Sequence, residues 1–156
     1  MSDKIILASK SKVRKEILDK HEILCEVKPS NVDEDVVKES LIKRSASPEI
    51  ISKNLAELKA NKVSLNQKDR LVLGADSVID LAGELISKPE DREEALMILK
   101  KLNGKKHNLI SSVCISRNGS MIWNYTDKAE LIMKYFSEED LKVYLSKISD
   151  EALYAY

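Results

Sequence analysis

The chain has 156 residues, and its 26 Lys and Arg side chains balance its 26 Asp and Glu side chains, so the formal net charge is zero. This length predicts a single domain, 1–156, with a core that buries about 70% of the unfolded surface. Hydrophobic residues make up 43% and charged residues 33%, which excludes a disordered chain. Neutral charge and few aromatic residues argue against a protein that binds DNA, RNA or an anionic membrane.

The cysteines and histidines are isolated. Cys25 and Cys114 lie far apart and form no C-x-x-C motif, which indicates a reducing, cytoplasmic environment. His21 and His107 have no metal-ligand spacing to another His or Cys, so a structural zinc site is not expected. No apolar run approaches the ~20 residues of a membrane helix, and the start of the chain lacks the apolar region of a signal peptide.

The hydrophobic periodicity predicts alternating strands and helices. Asn118-Gly119 predicts a tight hairpin turn. In chain order we predict a strand at 5–8, a helix from Ser9 or Ser11, a strand at 23–28, a helix from Ser47, strands at 71–81 (interrupted at 74–76) and 84–87, a helix at 91–102, strands at 109–116, 121–125 and 129–135, and a helix at 137–148. This order predicts an α/β or α+β domain with a mixed sheet flanked by helices.

The first candidate functional segment follows the first strand. Ser9 and Ser11 open a helix, whose free backbone N–H groups and positive dipole end can bind an anion. Lys10, Lys12 and Arg14 add positive charge on the same turn. Taken alone, the segment is more typical of an ordinary helix cap with solvated cations.

The second candidate is a carboxylate inside an apolar run. Gly74 and Ala75 allow close approach of a backbone or ligand, and Asp76-Ser77 follows them before the apolar run resumes. A buried carboxylate is costly unless it is paired, hydrogen-bonded or bound to a metal. The sequence therefore favours a functional Asp76 over a turn residue in a hairpin.

The third candidate is the acidic cluster Asp33-Glu34-Asp35, which can supply oxygen ligands to Mg²⁺ or Mn²⁺ but is also typical of a solvated loop. Lys59 and Lys88 taken singly are ordinary surface lysines. Carboxylates for a cation, together with Lys, Arg and a helix N-terminus for phosphates, predict a site for a polyphosphate and a metal ion. The P-loop, the dinucleotide-binding fingerprint and the Ser/His/Asp triad are all absent from the sequence.

These segments, taken in order, carry a family resemblance. The opening Leu7-Ala8-Ser9-x-Ser11-x-x-Arg14 resembles the first motif of the Maf family of nucleoside triphosphate pyrophosphatases. The similarity extends from about Ile5 to Tyr144. The further matching motifs are Val32-Asp33-Glu34, Leu55-Ala56-x-x-Lys59-Ala60, Val72-Leu73-Gly74-Ala75-Asp76-Ser77-Val78, Ser87-Lys88-Pro89, Leu102-x-Gly104 and His107.

The resemblance implies an elongated mixed β-sheet flanked by helices, similar to that of inosine triphosphatases, with a nucleotide cleft. It implies hydrolysis of a nucleoside triphosphate to the monophosphate and pyrophosphate with Mg²⁺ or Mn²⁺. By motif match, Asp76 is the catalytic carboxylate and Glu34 and Asp76 hold the metal. The residues that bind the polyphosphate are Ser9, Arg14, Lys59 and Lys88. Because family members are often dimers, the resemblance also implies a homodimer.

Two departures from the family pattern concern substrate choice and chain length. Val13 occupies a position at which an Arg accompanies preference for dTTP and UTP, so it argues against that subtype. Ser77 follows no single subtype, and the base stays open. Family members continue for roughly forty residues past Tyr156, so we expect a chain that lacks the family's closing segment, with Leu153, Tyr154 and Tyr156 exposed.

Three functions remain to be compared. The first is a metal-dependent pyrophosphatase that acts on non-canonical or modified nucleotides. The second is a nucleotide-binding regulator of cell division or septation with little or no turnover. The third is a structural domain with no nucleotide site.

Overall fold

The computed structural model describes residues 4–154, without the side chain of Tyr154; the exposure expected of Tyr154 and Tyr156 lies outside the described residues. The elements fall in an order close to the predicted one. They are β1 (Ile5–Leu7), α1 (Lys12–Lys20), β2 (Cys25–Val27), α2 (Glu34–Lys43), α3 (Pro48–Ser64), β3 (Val72–Leu81), β4 (Glu84–Ile86), α4 (Arg92–Leu102), β5 (Lys106–Arg117), β6 (Ser120–Ile132), α5 (Glu138–Lys147) and α6 (Asp150–Tyr154).

The strands form one mixed six-stranded sheet in the order β2-β1-β3-β5-β6, with β4 paired to β3. Strand β1 runs parallel to β2 and β3, whereas β3 runs antiparallel to β4 and β5, and β5 antiparallel to β6. The predicted α/β fold with a mixed sheet and flanking helices is confirmed. The hairpin turn at Asn118-Gly119 is confirmed too, since both residues have the positive φ angles, 51° and 85°, that a tight hairpin turn requires.

Helix α3 packs on the centre of the sheet. It begins as predicted, with Ser47 as the N-cap and Pro48 in the first turn, and the Ser47 side chain accepts a hydrogen bond from the backbone of Ile50. Its inward face joins three strands in one apolar cluster, which consists of Ile6, Ala8, Ala56, Ala60, Val63, Val72 and Cys114. Small alanines on this face allow the helix axis to lie close to β3.

Gly74 sets the distance between α3 and β3. A Cβ atom at this position would lie 2.3 Å from the carbonyl oxygen of Ala56 and 2.8 Å from the backbone nitrogen of Ala60. These contacts are with backbone atoms, so no side-chain rotation could relieve them. Only glycine permits this helix to approach this strand so closely.

Three sequence-based predictions of local structure are wrong. Residues 33–35 do not form a loop: Asp33 caps α2, its side chain accepts from the backbone of Val36, and Glu34 and Asp35 form the acidic first turn. Residues 74–76 do not interrupt β3, because they pair with β5 in unbroken register. The strands predicted at 121–125 and 129–135 are one strand, β6, whose polar middle pairs with β5 along its whole length.

Among residues 4–154, no helix combines the length and the apolar character needed to cross a bilayer.

We predict that Gly74→Ala destabilises the protein by about 3 kcal/mol, because the added methyl group must push α3 away from β3. Urea unfolding measures the change. The matched control is Gly83→Asn, because a Cβ added at Gly83 meets no atom within 4 Å and Asn adopts a positive φ (92° here) more readily than most residues. It should cost about 1 kcal/mol. Equal effects of the two substitutions would contradict the close-approach argument.

Candidate active site

The loop after β1 forms the first wall of the site. Ser11, and not Ser9, is the N-cap of α1, and its side chain accepts from the backbone N–H of Arg14 at 3.3 Å. The buried Ser9 hydroxyl accepts from the Ser11 backbone N–H at 3.1 Å and from Nη1 of Arg14 at 3.0 Å. The bond to Ser9 thus holds the Arg14 guanidinium near the N-terminus of α1. The helix dipole and the guanidinium charge both favour a bound anion there.

Asp76 lies inside β3, just beyond the point at which β1 ends. The backbone N–H of Ala8 bonds to the carbonyl of Leu73 at 2.9 Å, so the Ser9 loop runs beside residues 75–76. Asp76 pairs in register with Ser112 and shares its sheet face, which α3 covers. The residue is only 5% exposed, and its Oδ2 atom is buried without a hydrogen-bond partner among the described residues.

Lys59 reaches Asp76 from α3. Its buried ammonium donates to Asp76 Oδ1 at 3.1 Å, to the carbonyl oxygen of Ala75 at 3.2 Å, and to Oε1 of Glu34 in a close ion pair. Glu34 comes from the first turn of α2. One cation therefore joins two carboxylates that lie more than forty residues apart in the sequence.

The two carboxylates respond to this environment in opposite directions. Burial raises the pKa of Asp76 above its ordinary value of 3.8, and attraction by Lys59 opposes the shift without cancelling it. Burial also acts to raise the pKa of Glu34, but the hydrogen bond and charge of Lys59, together with the charges of Lys38 and Lys88, outweigh it and lower that pKa. The Glu34 side chain is 34% exposed and that of Asp76 only 6%, so attraction to cations prevails at Glu34 and burial at Asp76.

Positive side chains surround the acids. Burial lowers the pKa of Arg14, against the attraction of Asp76 and Glu34, but a guanidinium keeps its charge in proteins. Desolvation and repulsion from neighbouring cations lower the pKa of Lys88, against the attraction of Glu34. These groups line a cleft of about 1410 Å³. Small-molecule sites usually measure about 300–1,000 Å³, so the cleft has room for a nucleoside triphosphate.

All the predicted site residues line this one cleft. The set comprises Ser9, Val13, Arg14, Glu34, Lys59, Asp76, Ser77 and Lys88. The two positions expected to govern specificity lie on its outer part: Val13 is exposed in the first turn of α1, and the exposed Ser77 hydroxyl bonds to that of Ser111 at 3.0 Å.

Sequence reasoning missed two contributors. Lys38 lines the cleft from α2, and its charge acts on Asp76, Glu34 and Lys88. The signal was present, since Asp33 followed by two acids is typical of a capped helix start. Ser52 also escaped notice: its buried hydroxyl bonds to the carbonyl oxygen of Asp76 at 3.1 Å and to the Ser112 hydroxyl at 3.0 Å.

The acids suit one kind of metal ion. Within residues 4–154, no group of three or more His, Cys, Asp and Glu side chains is placed to hold a metal. Glu34 and Asp76 meet at one ammonium, and no other described residue donates a hydrogen bond to Asp76 Oδ2. Mg²⁺ is usually held by one or two carboxylates together with substrate phosphates. The residues fit a cation that shares its ligands with a bound polyphosphate.

Comparison with known proteins gives close relatives. A nucleoside triphosphate pyrophosphatase from Pelagibacter ubique (strain HTCC1062) is 67% identical over 156 residues, which are the whole of this chain and 80% of that protein. A 7-methyl-GTP pyrophosphatase from Rhizobium etli is 33% identical over 153 residues, which are 98% of this chain and 77% of that protein. A solved HAM1 protein from Coxiella burnetii aligns with 81% of this chain and 71% of its own, at 15% identity and a TM-score of 0.48.

The sequence pattern of one family covers nearly all of the described structure. It matches residues 4–154, a range that contains every side chain placed in the cleft above. The chain is a member of the family of Maf-like proteins.

Proposed function

We propose that this protein hydrolyses a nucleoside triphosphate, a non-canonical or modified one, to the monophosphate and pyrophosphate. The observation that carries the proposal is the buried Oδ2 of Asp76, which has no hydrogen-bond partner within residues 4–154 and lies in a cleft lined by Arg14 and Lys88. The names of the relatives from Pelagibacter ubique and Rhizobium etli support the reaction class.

The cationic groups bind the polyphosphate in this proposal. Arg14 is fixed by Ser9 with further N–H groups to donate, and the backbone at the start of α1 adds donors. Lys88 lines the same cleft from the segment after β4, where its side chain is exposed. Positive groups from these two segments position the phosphate chain and offset the charge that develops on it.

Asp76 is the catalytic carboxylate in this proposal. Oδ2 accepts a proton from the water whose oxygen attacks the α-phosphorus, while the bond from that phosphorus to the bridging oxygen breaks and pyrophosphate leaves. The raised pKa of Asp76 brings this base closer to neutral pH, which suits proton transfer. In the structure Oδ1 accepts from Lys59, which orients the carboxylate with Oδ2 free for this role.

Glu34 and Asp76 are the residues that would hold a divalent cation, as the sequence predicts. A bound Mg²⁺ or Mn²⁺ would neutralise phosphate charge. Metal dependence, the homodimer and the cytoplasmic location stay predictions.

The first test is pyrophosphate release from dTTP, UTP, 7-methyl-GTP and ITP with Mg²⁺ or Mn²⁺. We expect the wild-type protein to release pyrophosphate from at least one of them. Asp76→Asn should lower kcat by about 10²–10⁴-fold and retain nucleotide affinity, since only the proton acceptor is lost. Asp127→Asn, an exposed acid on β6 outside the cleft, is the control and should leave kcat unchanged.

Unchanged turnover in Asp76→Asn would remove the catalytic assignment. Nucleotide binding without pyrophosphate release from any of the four substrates would replace the enzyme with a nucleotide-binding regulator.

The second test uses the pH dependence of stability. Because the pKa of Asp76 is higher in the folded chain, the free energy of unfolding falls as pH rises from 3.8 through the raised folded value. Asp76→Asn removes the unfavourable burial of a charged carboxylate and leaves Lys59 paired with Glu34. We expect the variant to be more stable than wild type by about 1 kcal/mol at pH 7, with the difference vanishing below pH 3.8.

Urea unfolding across this pH range measures the effect. Asp127→Asn is again the control and should change stability by less than about 0.5 kcal/mol. A less stable Asp76→Asn at pH 7 would mean that attraction to Lys59 outweighs the burial of the carboxylate.

A further inference from the structure

Lys59 differs from the other cations of the cleft because its hydrogen-bonding capacity is fully used. An ammonium has three N–H donors and no acceptor. The three donors of Lys59 meet Ala75 O, Asp76 Oδ1 and Glu34 Oε1. A phosphate oxygen could bind Lys59 only if one of these protein oxygens were released.

The other cations have donors to spare. Arg14 uses Nη1 to bind Ser9 and keeps the remainder of its five-donor guanidinium. Lys88, at the exposed rim, forms no ion pair with any residue in the described part of the chain. Lys59 is 5% exposed and lies beneath them, against the sheet. The motif position of Lys59 suggests a phosphate ligand, but its contacts are those of an internal counter-ion.

We propose that Lys59 is the counter-cation and positioning residue of the Asp76–Glu34 pair, and that it competes with a divalent cation for their oxygens. This inference rests on the proposed function for its catalytic part. The ammonium holds Oδ1, so the second oxygen of Asp76 is the one left for chemistry. Two carboxylates without this cation would repel each other in a buried setting.

The competition has a measurable consequence. A divalent cation at these carboxylate oxygens must displace the ammonium or approach it closely, and like charges repel strongly at low dielectric. The protein alone therefore binds such a cation weakly. Removal of the Lys59 charge should tighten this binding, whereas loss of a phosphate ligand would leave it unchanged.

The experiment compares Lys59→Met with Lys88→Met and with a control on the same helix, Lys53→Met, which lies outside the cleft and pairs with Glu49. Mn²⁺ binding without nucleotide is followed by electron paramagnetic resonance. Binding of inorganic tripolyphosphate in EDTA is followed by calorimetry. Steady-state pyrophosphate release separates kcat from KM.

For Lys59→Met we expect Mn²⁺ affinity to rise by at least about tenfold, tripolyphosphate affinity to stay within about threefold, and kcat to fall by about 10²-fold with little change in KM. Lys88→Met should weaken tripolyphosphate binding by about fivefold and, because Lys88 interacts with Glu34 without a direct ion pair, raise Mn²⁺ affinity by no more than about threefold. Lys53→Met should match wild type throughout. Loss of tripolyphosphate binding in Lys59→Met, with unchanged Mn²⁺ affinity, would overturn the proposal.

If Lys59→Met does not fold, Lys59→Arg distinguishes a positioning role from a phosphate-binding role. Arginine keeps the charge but presents a planar fork in place of three converging donors. A positioning role predicts that this variant binds tripolyphosphate like wild type and loses kcat by about tenfold or more; a phosphate-binding role predicts that turnover is kept.

The two binding measurements need no turnover, so they separate the two proposals. A wild-type protein that releases no pyrophosphate, combined with tighter Mn²⁺ binding in Lys59→Met, would remove the proposed reaction and leave the counter-cation role supported.

Discussion

The close packing of α3 against β3 at Gly74 is the constraint on which both the fold and the site depend. The missing Cβ lets the backbone of Ala56 and Ala60 contact the strand, and Lys59 lies between these two alanines on the helix. Only at this separation can the ammonium reach Asp76 Oδ1 at 3.1 Å while its stem stays buried. The same helix–strand contact therefore forms part of the apolar core and positions the charged side chains of the site.

Burial of the Asp76 carboxylate lowers the stability of the fold but places this group where it can take part in chemistry. Asp76 and Glu34 share one buried ammonium, and Asp76 Oδ2 is buried with no partner in the described part of the chain, which is unfavourable in a low-dielectric setting. The backbone at this position is satisfied separately, because the Ser52 hydroxyl bonds to the carbonyl oxygen of Asp76 and to the hydroxyl of Ser112 on the next strand. A buried acid of this kind is a recurrent reason why function and stability conflict.

The cleft brings together the residues that the sequence motifs single out, and their chemical roles stay predictions. Ser9 and Asp76 stand out as polar residues beside or within an apolar run, whereas Lys88 is recognisable only through the motif that surrounds it. Helix α2 was missed because an acidic cluster fits a solvated loop and a capped helix start equally well. The three bonds of Lys59 could not be predicted, since they depend on a helix–strand distance that only tertiary packing sets.

The distribution of charge, and not its sum, indicates the size of the ligand. The chain is neutral overall, yet Arg14, Lys38 and Lys88 converge on one cleft whose floor holds two carboxylates. A long polyanion is bound by cations spread over an accessible surface, whereas these cations face inward across about 1410 Å³. Because the acids below them would repel a phosphate chain that entered alone, a small polyanion with its own counter-cation suits the cleft better than a nucleic acid backbone does.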